Sequence, residues 1–207
     1  MNNNSPLEIL IVGGDGFLGS HLRGILSRTQ TRFGHTTHRE DSQQPSTHLL
    51  DFSQPPCSWN PLPNTETAIL CAGITSIAEC RDHPDESHIV NVKHTIELAR
   101  QFAAQGVFMV FLSTNLVFDG QCPFPDETTG PHPITIYGMQ KTTAEKAILE
   151  MDPQPAIVRL TKVLSQNHPL FANWRKNLGI HQPIHPFDNL VFSPMSVNYA
   201  ANALLTI

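Results

Sequence analysis

The chain has 207 residues, of which 40% are hydrophobic and 15% charged, a composition that excludes a disordered segment and suits one medium-sized globular domain. Its formal charge of −5 comes without a basic cluster, so we expect no nucleic-acid partner. The first residues, MNNNSPLEILIVGG, carry no basic segment and only a short apolar run. We therefore expect no signal peptide, no membrane span, reduced cysteines and a cytoplasmic location.

Short apolar strands alternate with amphipathic helices along most of the chain, in the following order. Strands are predicted at 7–12, 32–40, 47–52, 67–73, 107–114 and 155–164, helices at 16–28, 89–103 and 137–151, and a short helix near 196–205. The Pro-rich connection 54–64 is expected to hold no helix, and the remainder after 164 is expected to be irregular. This alternation predicts an α/β fold, a doubly wound parallel sheet of Rossmann type. Residues 1–165 would form the dinucleotide-binding domain, and 166–207 a reduced substrate-side region packed on the same domain.

A glycine-rich turn, VGGDGFLG, follows the first predicted strand and opens the first predicted helix. In the dinucleotide-binding fold, glycines at this G-x-x-G-x-x-G spacing allow a tight turn, close approach of the pyrophosphate, and packing of the helix on the strand. Amide groups at the helix N-terminus then face the phosphates. The alternative is an ordinary strand-to-helix turn that needs glycine only for packing. The predicted cofactor-binding residues here are Gly13, Asp15, Gly16, Phe17, Leu18 and Gly19.

The end of the second predicted strand bears on the choice between NADP and NAD. A carboxylate there would bind the ribose 2′-hydroxyl, whereas an arginine would favour a 2′-phosphate. The strand ends in His38 and Arg39, which favour NADP, and in Glu40, which opposes it. A solvated loop arginine is the alternative. At the end of the third strand, Asp51 with the adjoining Phe52 is predicted near the adenine, unless Asp51 only forms a turn.

Tyr137 and Lys141, in IYGMQK, lie four residues apart and therefore on one face of a predicted helix. A lysine ammonium next to a phenol stabilises the phenolate and would lower the tyrosine pKa toward neutral pH. Such a pair provides a general acid/base for carbonyl and alcohol chemistry. Ser113 and Thr114 end the most apolar strand, where ligands bind in open α/β sheets, and can orient a substrate oxygen.

These motifs occur in the order found in the extended short-chain dehydrogenase/reductases. VGGDGFLG, CAG, VNVKHT, FLSTNLVFDG and YGMQK resemble that superfamily, and STNLVFDG…PFPDE…YGMQKTTAEKAI is similar to its dTDP-4-dehydrorhamnose reductase group, which includes the regulatory β subunit of methionine adenosyltransferase. The resemblance implies catalytic roles for Thr114 (a bond to the substrate oxygen), Tyr137 (proton exchange) and Lys141 (a bond to the nicotinamide ribose). It also implies cofactor contacts for Cys71, Ala72, Gly73 and Val163. Asn91 is assigned to the cofactor side, with a structural role as the alternative.

Two positions and the chain length depart from the reductase pattern. Asn115 and Leu116 stand where the group commonly has Asp and Tyr, and the substrate-side region is short. The resemblance implies an NAD(P)-dependent oxidoreductase that acts on a carbonyl or secondary alcohol, with a nucleotide-linked deoxysugar as a candidate substrate, and a homodimer. The alternative is a non-catalytic NADP-binding regulatory or scaffold subunit. We expect no metal, because the histidine pairs His35/His38 and His181/His185 lack a complementary ligand set.

Overall fold

Six parallel strands form the central sheet of the computed structural model, which describes residues 6–39, 46–59, 62–166, 169–184 and 193–207. They are β1 Leu7–Val12, β2 Phe33–Thr37, β3 Thr47–Leu49, β4 Thr65–Leu70, β5 Phe108–Thr114 and β6 Ala156–Leu160. The strand order is β3-β2-β1-β4-β5-β6, so the order reverses between β1 and β4. In open α/β sheets such a reversal opens a crevice at the carboxyl ends of the strands, where ligands bind. The predicted Rossmann-type fold is confirmed.

Helices and a small second sheet complete the architecture. The helices are α1 Phe17–Leu26, α2 Ile77–Asp82, α3 Pro84–His88, α4 Thr95–Ala104, α5 Ile136–Leu149, α6 Pro169–Gly179 and α7 Val197–Leu204. The second sheet pairs β7 Lys162–Leu164 with β8 Pro194–Ser196 in parallel. A π-helical segment, Ile89–His94, joins α3 to α4. α4 ends before Gly106, whose φ of +70° suits a left-handed residue after a helix C-terminus.

Alternate residues of the inner strands enter two separate hydrophobic clusters, because side chains point to opposite faces along a strand. On one face, Leu10 and Phe111 pack with Leu98 and Phe102 of α4 and with Ile148 of α5. The cluster on the other face contains Ile11, Leu22, Leu26, Ile69, Val110, Ala201 and Leu204. The sheet is therefore covered by α4 and α5 on one side and by α1 and α7 on the other.

Several predicted boundaries were wrong. The strand predicted at 155–164 divides into β6 and β7, because β7 leaves the main sheet to pair with β8. The Pro-rich connection contains a 3-10 turn at Pro56–Ser58, whose prolines occupy positions that need no backbone donor. Helical structure begins at Ile77, well before 89, and α6 forms in the region expected to be irregular. No helix within the described ranges is long and apolar enough to cross a membrane.

Candidate active site at the carboxyl ends of the strands

The glycine turn connects β1 to α1 beside the end of β4. Gly13 has φ of +87°, and a Cβ there would lie 2.7 Å from the backbone nitrogen of Ala72. A Cβ on Gly19 would lie 2.3 Å from the carbonyl oxygen of Gly13. These two glycines are therefore required by the fold itself, since a side chain at either would separate the turn from β4 or α1 from the turn.

Gly16 differs, because the protein leaves the space of its missing side chain largely empty. Its φ is −67°, which any residue adopts, and a Cβ would meet only the Gly13 carbonyl oxygen, at 3.3 Å. As N-cap residue of α1 it offers no side-chain oxygen to the first-turn amide groups. A glycine that packing does not demand, at an uncapped helix N-terminus, fits a phosphate group approaching the backbone.

A charged cluster connects this turn to the end of β2. Thr37 donates a short hydrogen bond to Asp15 Oδ2, and Arg23 Nη1 of α1 lies 3.2 Å from Asp15 Oδ1. The backbone N–H of Arg39 donates to Thr37 Oγ1 at 3.0 Å, and the side chains of His38 and Arg39 are exposed. The structure thus connects Asp15 and the Arg39 backbone through Thr37 at the carboxyl end of β2, with His38 next to them in the chain, whereas Glu40 lies outside the described residues.

Asp51 and Phe52, after β3, make contacts within the protein. Asp51 Oδ1 accepts a hydrogen bond from the Ser53 N–H at 2.8 Å, which is the turn-forming arrangement. The Phe52 ring stacks on Trp59 with 5.3 Å between centroids, and its carbonyl oxygen lies 2.6 Å from His94 Nδ1. Phe52 accordingly belongs to the hydrophobic cluster beneath α4. A cofactor contact of either residue stays a prediction.

Asn91 holds the loop after β4 through a buried hydrogen-bond network. Its Oδ1 accepts from the Ile74 N–H at 2.8 Å, while its Nδ2 donates to the Ile74 carbonyl at 2.9 Å and to Gln140 Oε1 at 2.8 Å. Gln140 Nε2 then donates to Ser87 Oγ at 2.8 Å. Asn91 is 2% exposed, and a Cβ on Gly73 would lie 3.0 Å from its Oδ1. The network therefore fixes the Gly73 loop, which the resemblance places against the cofactor, to α3 and α5.

The first turn of α5 packs directly on the 3-10 turn Asn115–Val117 that follows β5. A Cβ on Gly138 would lie 2.1 Å from the Leu116 carbonyl oxygen. Only glycine permits this approach, and the adjacent Tyr137 is consequently held against the end of β5. Thr135, the N-cap residue, accepts a hydrogen bond from the Gly138 N–H at 3.0 Å and so defines where the helix begins.

The hydroxyl groups that end β5 differ in their partners. Thr114 Oγ1 accepts from the Leu116 N–H at 3.2 Å, which leaves its own proton available to an acceptor. Ser113 Oγ is buried without a hydrogen-bond partner within the described residues. Buried polar groups are normally paired. The pair at the end of the strand therefore has hydrogen-bonding capacity that the protein itself does not use.

Tyr137 and Lys141 are both buried on the sheet-facing side of α5, with 8% and 7% exposure. The Nζ of Lys141 lies 3.9 Å from the centroid of the Phe111 ring. Burial lowers the pKa of Lys141 to about 7, although Glu145 and Cys71 oppose the change. Burial, with a smaller contribution from Cys80, raises the pKa of Tyr137 to about 12.

The expected lowering of the Tyr137 pKa by Lys141 is therefore wrong for the protein alone. Desolvation disfavours the charged form of each residue, and Lys141 is not among the groups that shift the pKa of Tyr137. A lysine with a pKa near neutral also carries only part of a charge at pH 7. Cys71, after β4, responds in the same way, since burial raises its pKa to about 12 despite the opposing influence of Lys141.

The remaining predicted residue, Val163, lies in β7, paired with Met195 of β8. Two further groups near the site went unrecognised in the sequence. Gln140 completes the Asn91 network, and Glu145 forms a bidentate ion pair with Arg159 of β6, at 2.8 Å for the shortest contact. The position of Glu145 could have been inferred from the sequence, because it follows Tyr137 and Lys141 at the same four-residue spacing and so lies on the same helix face.

A family model described as the RmlD substrate binding domain matches residues 7–207. The chain belongs to this family. The dTDP-4-dehydrorhamnose reductase of Mycobacterium tuberculosis H37Rv is 27% identical over 207 residues, which cover 97% of this chain and 65% of that protein. The Bos taurus methionine adenosyltransferase 2 subunit beta is 38% identical over 117 residues, 56% of this chain and 33% of that subunit. The chain thus spans less than two thirds of these curated relatives.

Solved structures share the fold of this RmlD-family chain. The dTDP-4-dehydrorhamnose reductase from Bacillus anthracis str. Ames in complex with NADP superimposes with a TM-score of 0.78 at 24% identity, over all of this chain and 73% of that one. MoeE5 in complex with UDP-glucose and NAD gives a TM-score of 0.78 at 20% identity, over 96% and 70% of the two chains. At these identities the likeness establishes the architecture alone.

Proposed function

We propose that this chain carries the cofactor site and acid/base residues of an NADP(H)-dependent oxidoreductase of the extended short-chain type. It would transfer a hydride between nicotinamide and a carbonyl or secondary alcohol. One observation carries the proposal: α5 holds Tyr137 and Lys141, buried, against the end of β5, at the same sheet edge as the glycine turn. The assignments of Thr114 and of the cofactor-contacting residues belong to this proposal.

The side chains can divide the chemistry of a carbonyl reduction among them. A nicotinamide cofactor, when bound, would supply the hydride for the carbonyl carbon. Tyr137 donates its phenolic proton to the oxygen, the C–O π electrons form the new O–H bond, and Thr114 donates a hydrogen bond to that oxygen. The raised pKa keeps Tyr137 protonated at neutral pH, as a proton donor requires. Lys141, whose pKa burial lowers to about 7, is the residue proposed to bind the nicotinamide ribose.

NADP rather than NAD is the proposed cofactor, and the exposed Arg39 at the end of β2 supports it. The Bacillus anthracis reductase binds NADP, whereas MoeE5 was solved with NAD. A nucleotide-linked sugar is the proposed substrate class, because the relatives include dTDP-4-dehydrorhamnose reductases and MoeE5 was solved with UDP-glucose. Homodimer formation and a cytoplasmic location stay predictions.

A second candidate function is a cofactor-binding regulatory subunit without turnover. The similarity to the bovine methionine adenosyltransferase 2 subunit beta supports it. The two candidates share a cofactor site, so binding of NADP does not distinguish them. Reduction of a substrate does.

The test combines a binding measurement with a turnover measurement. Purified chain is titrated with NADPH and NADH by fluorescence, and NADPH absorbance is followed with dTDP-4-dehydrorhamnose and other nucleotide-linked keto sugars. We expect Tyr137→Phe to reduce kcat by roughly 10²-fold or more while the cofactor Kd changes little. Tyr199→Phe, on the exposed face of α7, is the matched control. Binding without turnover supports the regulatory candidate, and undiminished turnover by Tyr137→Phe refutes the acid/base assignment.

A further inference from the structure

Within the residues that the structure describes, the carboxylate at the end of β2 comes from the glycine turn. Dinucleotide-binding folds usually present an acidic residue from the end of the second strand to the ribose hydroxyls. Here β2 ends in Thr37, which has no carboxylate. Its hydroxyl instead donates to Asp15 Oδ2, so the Asp15 carboxylate lies where the strand would otherwise supply one.

Arg23 offsets the charge of this carboxylate. Its Nη1 lies 3.2 Å from Asp15 Oδ1 and 3.4 Å from the Gly14 carbonyl oxygen, so α1 supplies a guanidinium directly to the turn. The Asp15 side chain keeps 18% and the Arg23 side chain 30% exposure, which leaves both groups accessible to a ligand. A second guanidinium, Arg39, is exposed next to Thr37.

The three charges have opposite consequences for the two cofactors. A bare carboxylate accepts hydrogen bonds from ribose hydroxyls but repels a 2′-phosphate, whereas guanidinium groups attract that phosphate. With Arg23 in contact, Asp15 retains free oxygen lone pairs while its repulsion is offset. The preference between NADP and NAD therefore depends on the ion pair of Asp15 with Arg23 rather than on Arg39 alone.

We propose that Asp15 is the ribose-selecting residue of this chain, and that Arg23, by neutralising Asp15, permits a 2′-phosphate to bind. This inference rests on the proposed cofactor site and assigns its selectivity. Asp15 contacts the ligand. Arg23 and Thr37 act through Asp15 and are positioning residues.

Calorimetric titration with NADP and with NAD tests the assignment without any turnover. Arg23→Gln leaves Asp15 uncompensated, and we expect roughly tenfold weaker NADP binding with NAD binding nearly unchanged. Asp15→Asn removes the repulsion and the strong acceptor, so NAD binding weakens by roughly three- to tenfold while NADP binding is kept or improved. The ratio of the two dissociation constants thus moves in opposite directions in the two variants.

Two further variants keep the outcome interpretable. Arg28→Gln, in the exposed turn after α1, removes the same charge away from the cluster and should leave the ratio unchanged. Thr37→Val removes the hydroxyl that holds Asp15 at the end of β2 and should move the ratio in the direction of Asp15→Asn, which covers the case of an unstable Asp15 variant. If Arg23→Gln and either Asp15→Asn or Thr37→Val change the dissociation constants of NADP and NAD by equal factors, the inference is overturned but the proposed function stands. Failure of the wild-type chain to bind either cofactor overturns both.

Discussion

The Nζ of Lys141 lies 3.9 Å from the centroid of the Phe111 ring, and within the described part of the chain it forms no ion pair with a carboxylate. A ring face partly compensates an ammonium, but much less than water does. The folded chain therefore bears a cost for the charged form of this lysine.

Lys141 should make stability depend on pH. Burial lowers its pKa from 10.5 to about 7, so between these values the folded chain holds fewer protons at this group than the unfolded chain. Stability must then increase as pH rises through this window. We expect Lys141→Met to stabilise the chain more at pH 7 than at pH 9, by about 1–3 kcal/mol, in urea unfolding experiments. Lys146→Met, on the exposed side of α5, should show no such pH difference, and a similar difference for both variants would contradict the assignment.

Gly138 should tolerate no side chain. A Cβ would lie 2.1 Å from the Leu116 carbonyl oxygen and 3.1 Å from Pro133 Cβ, so α5 would have to move away from the turn after β5. We expect Gly138→Ala to lower the free energy of unfolding by about 2–3 kcal/mol. Gly24→Ala is the matched control, because Gly24 lies in α1 with nothing near its missing Cβ and should gain about 0.5–1 kcal/mol. Equal effects of the two substitutions would show that the close approach is absent in solution.

The ion pair between Glu145 and Arg159 should contribute more than the exposed pairs. Glu145 is 2% exposed and receives three hydrogen bonds from the guanidinium, which also lies over the Phe118 ring. Glu145→Gln leaves Arg159 without its charge partner, and we expect a loss of about 2–4 kcal/mol in denaturant unfolding. The exposed pair of Glu97 and Arg100 provides the comparison, since Glu97→Gln should cost about 0–0.5 kcal/mol. Comparable losses would rule out a special role for the buried pair.

Gln140 should stabilise the chain through its hydrogen bonds to the buried side chains of Asn91 and Ser87. Gln140→Leu removes the acceptor of Asn91 Nδ2 and the donor to Ser87 Oγ, both buried. Asn91 Nδ2 keeps its bond to the Ile74 carbonyl and Ser87 Oγ keeps its bond to the His83 carbonyl. We expect a loss of about 1–3 kcal/mol for the hydrogen bonds that are removed, together with weaker cofactor binding as the Gly73 loop loosens. Gln101→Leu, in an exposed position of α4, should change stability by no more than about 0.5 kcal/mol. A Gln140 variant as stable as the wild type would show that the network is not formed.

The sequence predicted the inner strands β1, β4 and β5 well, because they contain apolar runs that end in glycines or small residues. Leu7–Val12 was predicted with the bounds that β1 has, and the interior position of β5 follows from its strongly apolar composition. The separation of β7 from β6 was not predictable, because LTKVL continues the alternation and only the distant Pro194–Ser196 strand determines the pairing. Likewise, Phe171 and Trp174 at helical spacing in α6 were obscured by nearby prolines and histidines.

The candidate site was likewise predictable from the sequence only in part. Local spacing was sufficient to place Tyr137 and Lys141 on one helix face, since that depends only on helix geometry. Their pKa values depend on burial, which the sequence does not express, and the expected direction for Tyr137 was wrong. The contact of Thr37 with Asp15 joins residues 22 positions apart, so no local pattern indicates it.

The π-helical segment Ile89–His94 makes the number of residues in this helix a determinant of the site. Its backbone hydrogen bonds span five residues, whereas those of an α-helix span four. Asn91 within the segment and Ser87 before it both form hydrogen bonds with Gln140. A π-turn accommodates one extra residue within a helix, so loss of one residue from this segment would return it to α-helical winding while α3 and α4 keep their phase. Such a deletion would displace Asn91 from its hydrogen bonds to Ile74 and Gln140, and the Gly73 loop would lose its support although the flanking helices stay in place.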